Sequence, residues 1–273
     1  MKRLLLIRHA ESLYNQYLAN SLKVNEVFDH NEALVLFTRF HKREELLDPF
    51  LSQNGIAQTE VSVKENFDKL NRVKLVITTP MTRTLETTRR LFGGISVPPE
   101  IVVIPNFEKS ESVSDFPFRT LQNVKKYNNC DFKLLENKLK TFGYAWFIYE
   151  FFSPYKKELF LDAIKNVTAP DLDQEIVRKS FEIVDKSLCF ALNSVENSFE
   201  FYFRILKAKN SISQILTSDK YKLLKDEEVA VVAHWNFLAY LTAASFNENF
   251  TPVLFNIFKN CEIKEFDFEL NTI

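Results

Sequence analysis

The chain has 273 residues, 46% of them apolar, enough for one large domain or for a core with a smaller cap. Lys and Arg number 35 against 36 Asp and Glu, so the net charge of −1 argues against a bulk pull toward nucleic acid or an acidic membrane surface. Cys130, Cys189 and Cys261 are far apart and odd in number, with no Cys-x-x-Cys, which argues against a disulfide framework or a structural zinc site and for buried thiols in a reducing compartment.

In chain order, the first apolar run is Leu4 to Ile7. It is too short for a secretory signal and ends in Arg8 and His9, so residues 3–7 read as a buried strand of a parallel sheet. Residues 56–70 follow Ser52-Gln53-Asn54-Gly55, a turn or cap signal, and read as a helix. Residues 73–78 form a second strand. Residues 82–92 form a helix after Pro80, with Thr82 as candidate cap and Gly93-Gly94 as terminator. Residues 101–104 are a third strand. Helices are expected over 172–194 and 196–217, a fourth strand over 229–233, a helix over 236–246 and an edge strand within 261–268. No apolar stretch reaches the roughly 20 residues of a membrane helix. The expected protein is soluble, without membrane partners, and cytoplasmic, with the nucleus as a second compartment.

Strands alternating with helices predict an α/β fold: three layers, α/β/α, around a mostly parallel central sheet. Residues 107–170 break that rhythm and read as a cap insertion within a single domain spanning 1–273. Their aromatic run, Phe142 to Phe152, reads as a small satellite core. His30 and His41 read as surface residues, and Arg89 and Arg90 as a solvated helix end.

Ligands of an open parallel sheet bind beyond the carboxyl ends of its strands. Arg8, His9, Glu11 and Ser12 fall there after the first strand, Pro80 and Arg83 after the second, Glu108 and Glu111 after the third, and His234 after the fourth. These residue types suit phosphoryl transfer. Arginine forks match phosphate oxygens, a neutral imidazole can attack phosphorus, and a carboxylic acid can protonate the leaving oxygen.

The run Leu6-Ile7-Arg8-His9-Ala10-Glu11-Ser12 resembles the R-H-G-E-[ST] signature of the histidine phosphatase superfamily, which includes the phosphoglycerate mutase-like proteins. Asp48 to Gln58 is similar to its D-x-x-L-[ST]-x-x-G-x-x-Q, and Thr79-Pro80-Met81-Thr82-Arg83-Thr84 to its S-P-x-x-R-[AT]. Glu200 to Arg204 resembles the stretch before its last core strand, and Val232-Ala233-His234-Trp235-Asn236 its V-[SA]-H-G-G. The resemblance implies a phosphorylated nucleophile at His9 and a phosphate pocket of Arg8, Arg83 and His234. It places Ser12 and Asn15 at the rim and implies neither metal nor organic cofactor.

The sequence departs from the pattern in three places. Ala10 replaces a glycine. Trp235 and Asn236 replace two more, and Asn236 matches an asparagine of the mutases. Strict spacing for the family's acid lands on Lys109; a one-residue shift selects Glu108 as the catalytic acid, with Glu111 and Asp115 as further candidates.

The resulting expectation is a phosphatase acting on a phosphate monoester, either a phosphorylated small molecule or a phosphoprotein. One alternative is a mutase-type phosphotransferase, although Phe237 and Ala239 do not match the mutases' serine and arginine. The other is a scaffold that kept the pocket and lost turnover. Substrate identity and oligomeric state stay open.

Overall fold

The computed structural model describes residues 1–24, 46, 48–105, 119–136, 198–221, 223 and 227–270. The expected helix over 172–194, the aromatic run of 142–152, His30, His41 and Cys189 lie outside them, as does most of the segment read as a cap. The described elements are β1 (Lys2–Arg8), α1 (Leu13–Val24), α2 (Gln53–Asn71), β2 (Val73–Thr78), α3 (Thr82–Phe92), β3 (Glu100–Val103), α4 (Thr120–Lys126), β4 (Cys130–Asp131), α5 (Ser198–Leu216), β5 (Glu228–Ala233), α6 (Trp235–Leu241), β6 (Ser245–Phe246), β7 (Pro252–Val253) and β8 (Ile263–Phe268).

Six strands form one sheet in the order β4-β3-β2-β5-β1-β8. All neighbours pair in parallel except β8, which lies antiparallel along β1 at one edge. Leu4 to Ile7 of β1 and Val229 to Ala233 of β5 are buried throughout, because helices cover both faces of the central strands. On one face Leu4, Leu6, Ile77, Val229 and Val231 pack against Phe201, Ile205 and Ile212 of α5 and Phe237 and Leu241 of α6. On the other, Leu5, Ile7, Val76, Ala230 and Val232 pack against Leu70 of α2 and Leu91 and Phe92 of α3. The architecture is therefore the expected three-layer α/β/α with a mostly parallel sheet.

Side-chain chemistry moves several boundaries. The helix expected over 236–246 ends at Leu241: Thr242 turns its hydroxyl back to the Leu238 carbonyl, and Ser245 and Phe246 pair antiparallel with Pro252 and Val253. Asn247 closes that hairpin, its side chain accepting from the Asn249 and Thr251 amides. Thr82 is the first residue of α3 rather than its cap, and Met81, at the cap position, has no side-chain oxygen to offer. Within 107–170, residues 119–136 contribute α4 and β4, and β4 extends the sheet beside β3.

Candidate active site

β1 and β5 are neighbours in register, Arg8 opposite Ala233, and the His9 amide donates to the Ala233 carbonyl at 3.0 Å. Their next residues, His9 and His234, therefore emerge side by side at the carboxyl end of the sheet. The two rings are 5.1 Å apart and meet edge to face. Both side chains are nearly covered, at 5% and 6% exposure.

His9 Nδ1 lies 2.8 Å from the Ala10 carbonyl oxygen. A carbonyl can only accept, so Nδ1 carries the proton and the lone pair resides on Nε2. Burial, then the charges of Arg83 and Arg8, hold this imidazole well below its ordinary pKa, outweighing the opposing pull of the Ala10 bond. The ring is thus neutral at physiological pH, as a nucleophile must be.

His234 has the opposite tautomer. Arg83 Nη2 lies 3.2 Å from His234 Nδ1, and since a guanidinium can only donate, Nδ1 is the acceptor. Nε2–H then donates to the Thr79 hydroxyl at 3.1 Å. Thr84 gives its own proton to the Met81 and Thr79 carbonyls, so Thr79 donates to Thr84 across 2.7 Å. Arg83, His234, Thr79 and Thr84 form one directional chain that fixes the ring. Burial and then Arg83, His9, Arg8 and Arg204 keep His234 well below its ordinary pKa.

Arg8 donates from Nη1 to the Phe258 carbonyl at 2.9 Å, while its buried Nε has no partner. Burial and the charge of Arg83 push its pKa down to about 10. Arg83 is 4% exposed. Two guanidiniums, the charge of one lowering the pKa of the other, thus stand beside two neutral imidazoles at the carboxyl end of the sheet. Arg204, buried on α5, is a further cation whose field reaches His234. It sits over the Phe201 ring.

The remaining motif residues build the frame. Gly55 packs directly on the Glu11 backbone: a Cβ there would lie 2.0 Å from the Glu11 carbonyl oxygen. Ser52 donates its amide to that oxygen and its hydroxyl to the Glu11 carboxylate, and it also caps α2 by accepting from the Gly55 amide. Asn54 donates to the same carboxylate, and Gln58 accepts from the Glu11 amide. Asp48, fully buried with a positive φ of 41°, caps α3 from outside the helix by accepting from the Thr82 amide and hydroxyl, and it also accepts from the Arg119 amide. Burial pushes its carboxyl up to about 6 against those hydrogen bonds. Asp48 thereby sets the start of the helix that carries Arg83. Glu86 accepts from the Leu51 amide and faces Lys126.

Ser12 and Asn15, expected at the pocket rim, bond to each other. The Ser12 hydroxyl accepts from the Asn15 amide, and Asn15 Oδ1 accepts from the Ser12 amide and hydroxyl, a reciprocal cap that starts α1. The Ser-x-x-Asn spacing was the available signal for this helix. Asn236 is half-buried in the first turn of α6, after the 37%-exposed Trp235. The structure thus unites Arg8, His9, Arg83 and His234. Glu108, Lys109, Glu111 and Asp115 lie outside the described residues, beyond β3. Among the described residues no cluster of His, Cys, Asp and Glu could hold a metal ion, and no helix is long and apolar enough to cross a membrane.

No protein-family profile matches the sequence, and no curated protein does. Among solved structures, the chain is similar to mycobacterial glucosyl-3-phosphoglycerate phosphatase in complex with VO3, at 12% identity, covering 97% of this chain and 92% of that one, with a TM-score of 0.46. It is also similar to YhfR of Bacillus stearothermophilus, at 15% identity, 88% and 78% coverage and a TM-score of 0.39. A third similar structure is phosphoserine phosphatase of Entamoeba histolytica with 3-phosphoglyceric acid, at 14% identity, 88% and 77% coverage and a TM-score of 0.33. These likenesses are too distant to carry an activity across. In its motifs the chain resembles the histidine phosphatase superfamily.

Proposed function

We propose that the chain is a phosphatase that hydrolyses phosphate monoesters through a phosphohistidine on His9. The observation that carries this is the His9 tautomer: Nδ1–H is committed to the Ala10 carbonyl, which leaves a neutral Nε2 lone pair in the field of Arg83 and Arg8.

Nε2 attacks phosphorus and the bond to the leaving oxygen breaks, that oxygen taking a proton from a carboxylic acid. Arg8 and Arg83 balance charge on the outer phosphoryl oxygens. Water then attacks phosphorus and gives a proton to the same carboxylate. The P–N bond breaks, its electrons return to Nε2, and phosphate leaves. Glu108 is our candidate for the acid, with Glu111 and Asp115 behind it. The substrate is a phosphorylated small molecule or a phosphoprotein.

The test is an alkaline quench during turnover of a 32P-labelled aryl phosphate. The reading requires protein-bound label that is stable to alkali, labile to acid and absent from His9→Ala. Turnover by both proteins with no such label would mean direct attack by water and end the proposal.

A further inference from the structure

No motif marks residues 258–262, the approach to edge strand β8, yet this segment wraps the end of β1. The Phe258 carbonyl accepts from Arg8 Nη1 at 2.9 Å, and the Glu262 carbonyl accepts from the Arg8 amide at 3.3 Å. The Cys261 amide, in a left-handed turn with φ 60°, donates to the Arg8 and His9 carbonyls at 3.1 and 3.3 Å. Asn260 Nδ2 donates to the His9 carbonyl at 3.1 Å and to Asn15 Oδ1 at 3.5 Å.

The amide orientations here follow from chemistry. The atom of Asn260 facing a backbone carbonyl must be its nitrogen. Asn15 Oδ1 must be the oxygen, because the Ser12 backbone amide points at it. With Oδ1 held by Ser12 and Asn260, Asn15 keeps its own N–H2 for another acceptor.

We propose that Asn260 is a positioning residue of the phosphate pocket. One side-chain amide fixes the backbone of the nucleophile and turns the Asn15 amide so that its nitrogen serves the oxygens of the bound phosphoryl group. The inference rests on the phosphoryl-transfer reading above and adds a residue to it. Asparagine suits the place because two acceptors face it. Aspartate has the same shape but would set lone pairs against both. Serine is too short to span them.

The experiment is a double-mutant cycle of N260A with N15A, read as kcat/KM for an aryl phosphate and as the inhibition constant of inorganic phosphate, with Tm recorded for every variant. Losing two neutral hydrogen bonds predicts a fall of about 10- to 30-fold in kcat/KM for N260A. In the N15A background only the bond to the His9 carbonyl is left to lose, and the same change should cost about three- to fivefold. N260D should be at least as impaired as N260A while folded. An N260A protein within twofold of wild type, or one paying its full cost in the N15A background, overturns the inference. If wild type turns over no aryl phosphate, the phosphatase reading fails separately. The cycle is then read by calorimetry with inorganic phosphate, where weakening by N260A that shrinks in N15A sustains the role of Asn260. Unchanged phosphate binding, or none by wild type, removes it.

Discussion

Gly55→Ala is the sharpest test of the frame. The added Cβ would lie 2.0 Å from the Glu11 carbonyl oxygen and 2.9 Å from the Glu11 carbonyl carbon, against a floor near 3.0 Å for real contacts. Relief requires α2 and the loop after His9 to separate by about 1 Å. Across that seam run Ser52 N–H to the Glu11 carbonyl at 2.9 Å, Ser52 Oγ to the Glu11 carboxylate at 2.6 Å, Asn54 to the same carboxylate at 3.0 Å, and the Glu11 amide to Gln58 at 2.9 Å. Neutral bonds contribute about 1 kcal/mol and charge-assisted ones about 1.5–3 kcal/mol, the exposed Asn54 pair less. Weakening half of this set costs about 3 kcal/mol, and alanine's better helix propensity returns up to about 1 kcal/mol. The net loss of about 2 kcal/mol should lower Tm by about 4–8 °C by calorimetry. Activity should fall further than stability, since Glu11 follows His9 by two residues. A G55A protein as stable as wild type, or more stable, would refute the close-approach reasoning.

Three further outcomes follow from the pocket. Arg83→Ala should lower kcat/KM by about 10²- to 10³-fold, through lost charge-assisted bonds to phosphate. It should also move the acidic limb of the pH–rate profile to higher pH, because Arg83 is the largest charge holding His9 down; an unmoved limb would contradict that assignment. Thr79→Val removes the acceptor for His234 Nε2–H and should cost about 1–2 kcal/mol and about tenfold in kcat/KM, with Thr79→Ser close to wild type. Arg83 still donates to Nδ1, so the His234 tautomer should persist, and an Nε2 15N shift unmoved in the valine variant would contradict the bond to Thr79. Unfolded His9 takes up a proton near pH 6.5 while the folded ring does so only well below, so its contribution to stability rises with pH up to about 6.5 and then levels. The urea-unfolding difference between wild type and His9→Asn should follow that curve, and a flat difference would show that the ring is not held neutral. Asp48, raised to about 6, has the opposite sign between about 4 and 6, which is why the difference rather than the wild-type curve is diagnostic.

The sheet was legible because its central strands are buried on both faces: Leu4 to Ile7 and Val229 to Ala233 are unbroken apolar runs that no amphipathic helix would carry. The chemistry at their ends was legible for a related reason, since parallel register puts His9 and His234 on adjacent strand ends. Features that depend on tertiary polar contacts were not. Nothing local marks Asp48 as the cap of a helix that begins at Thr82, because its acceptors and donors meet only after folding. Asn260 is silent for the same reason. The helix at Leu13 was missed although Ser12 and Asn15 spell its cap, because those two residues were read for a ligand rather than for the backbone. The stop at Leu241 turns on one threonine hydroxyl, which outweighs the helical preference of Ala243 and Ala244.

The central claim is that His9 is the nucleophile of a phosphoryl transfer. Its most direct test is turnover of an aryl phosphate and a panel of metabolite phosphates by wild type and His9→Ala, with EDTA present. The account predicts phosphate release by wild type and a loss of several orders of magnitude in the variant. Equal activity of the two proteins would contradict it.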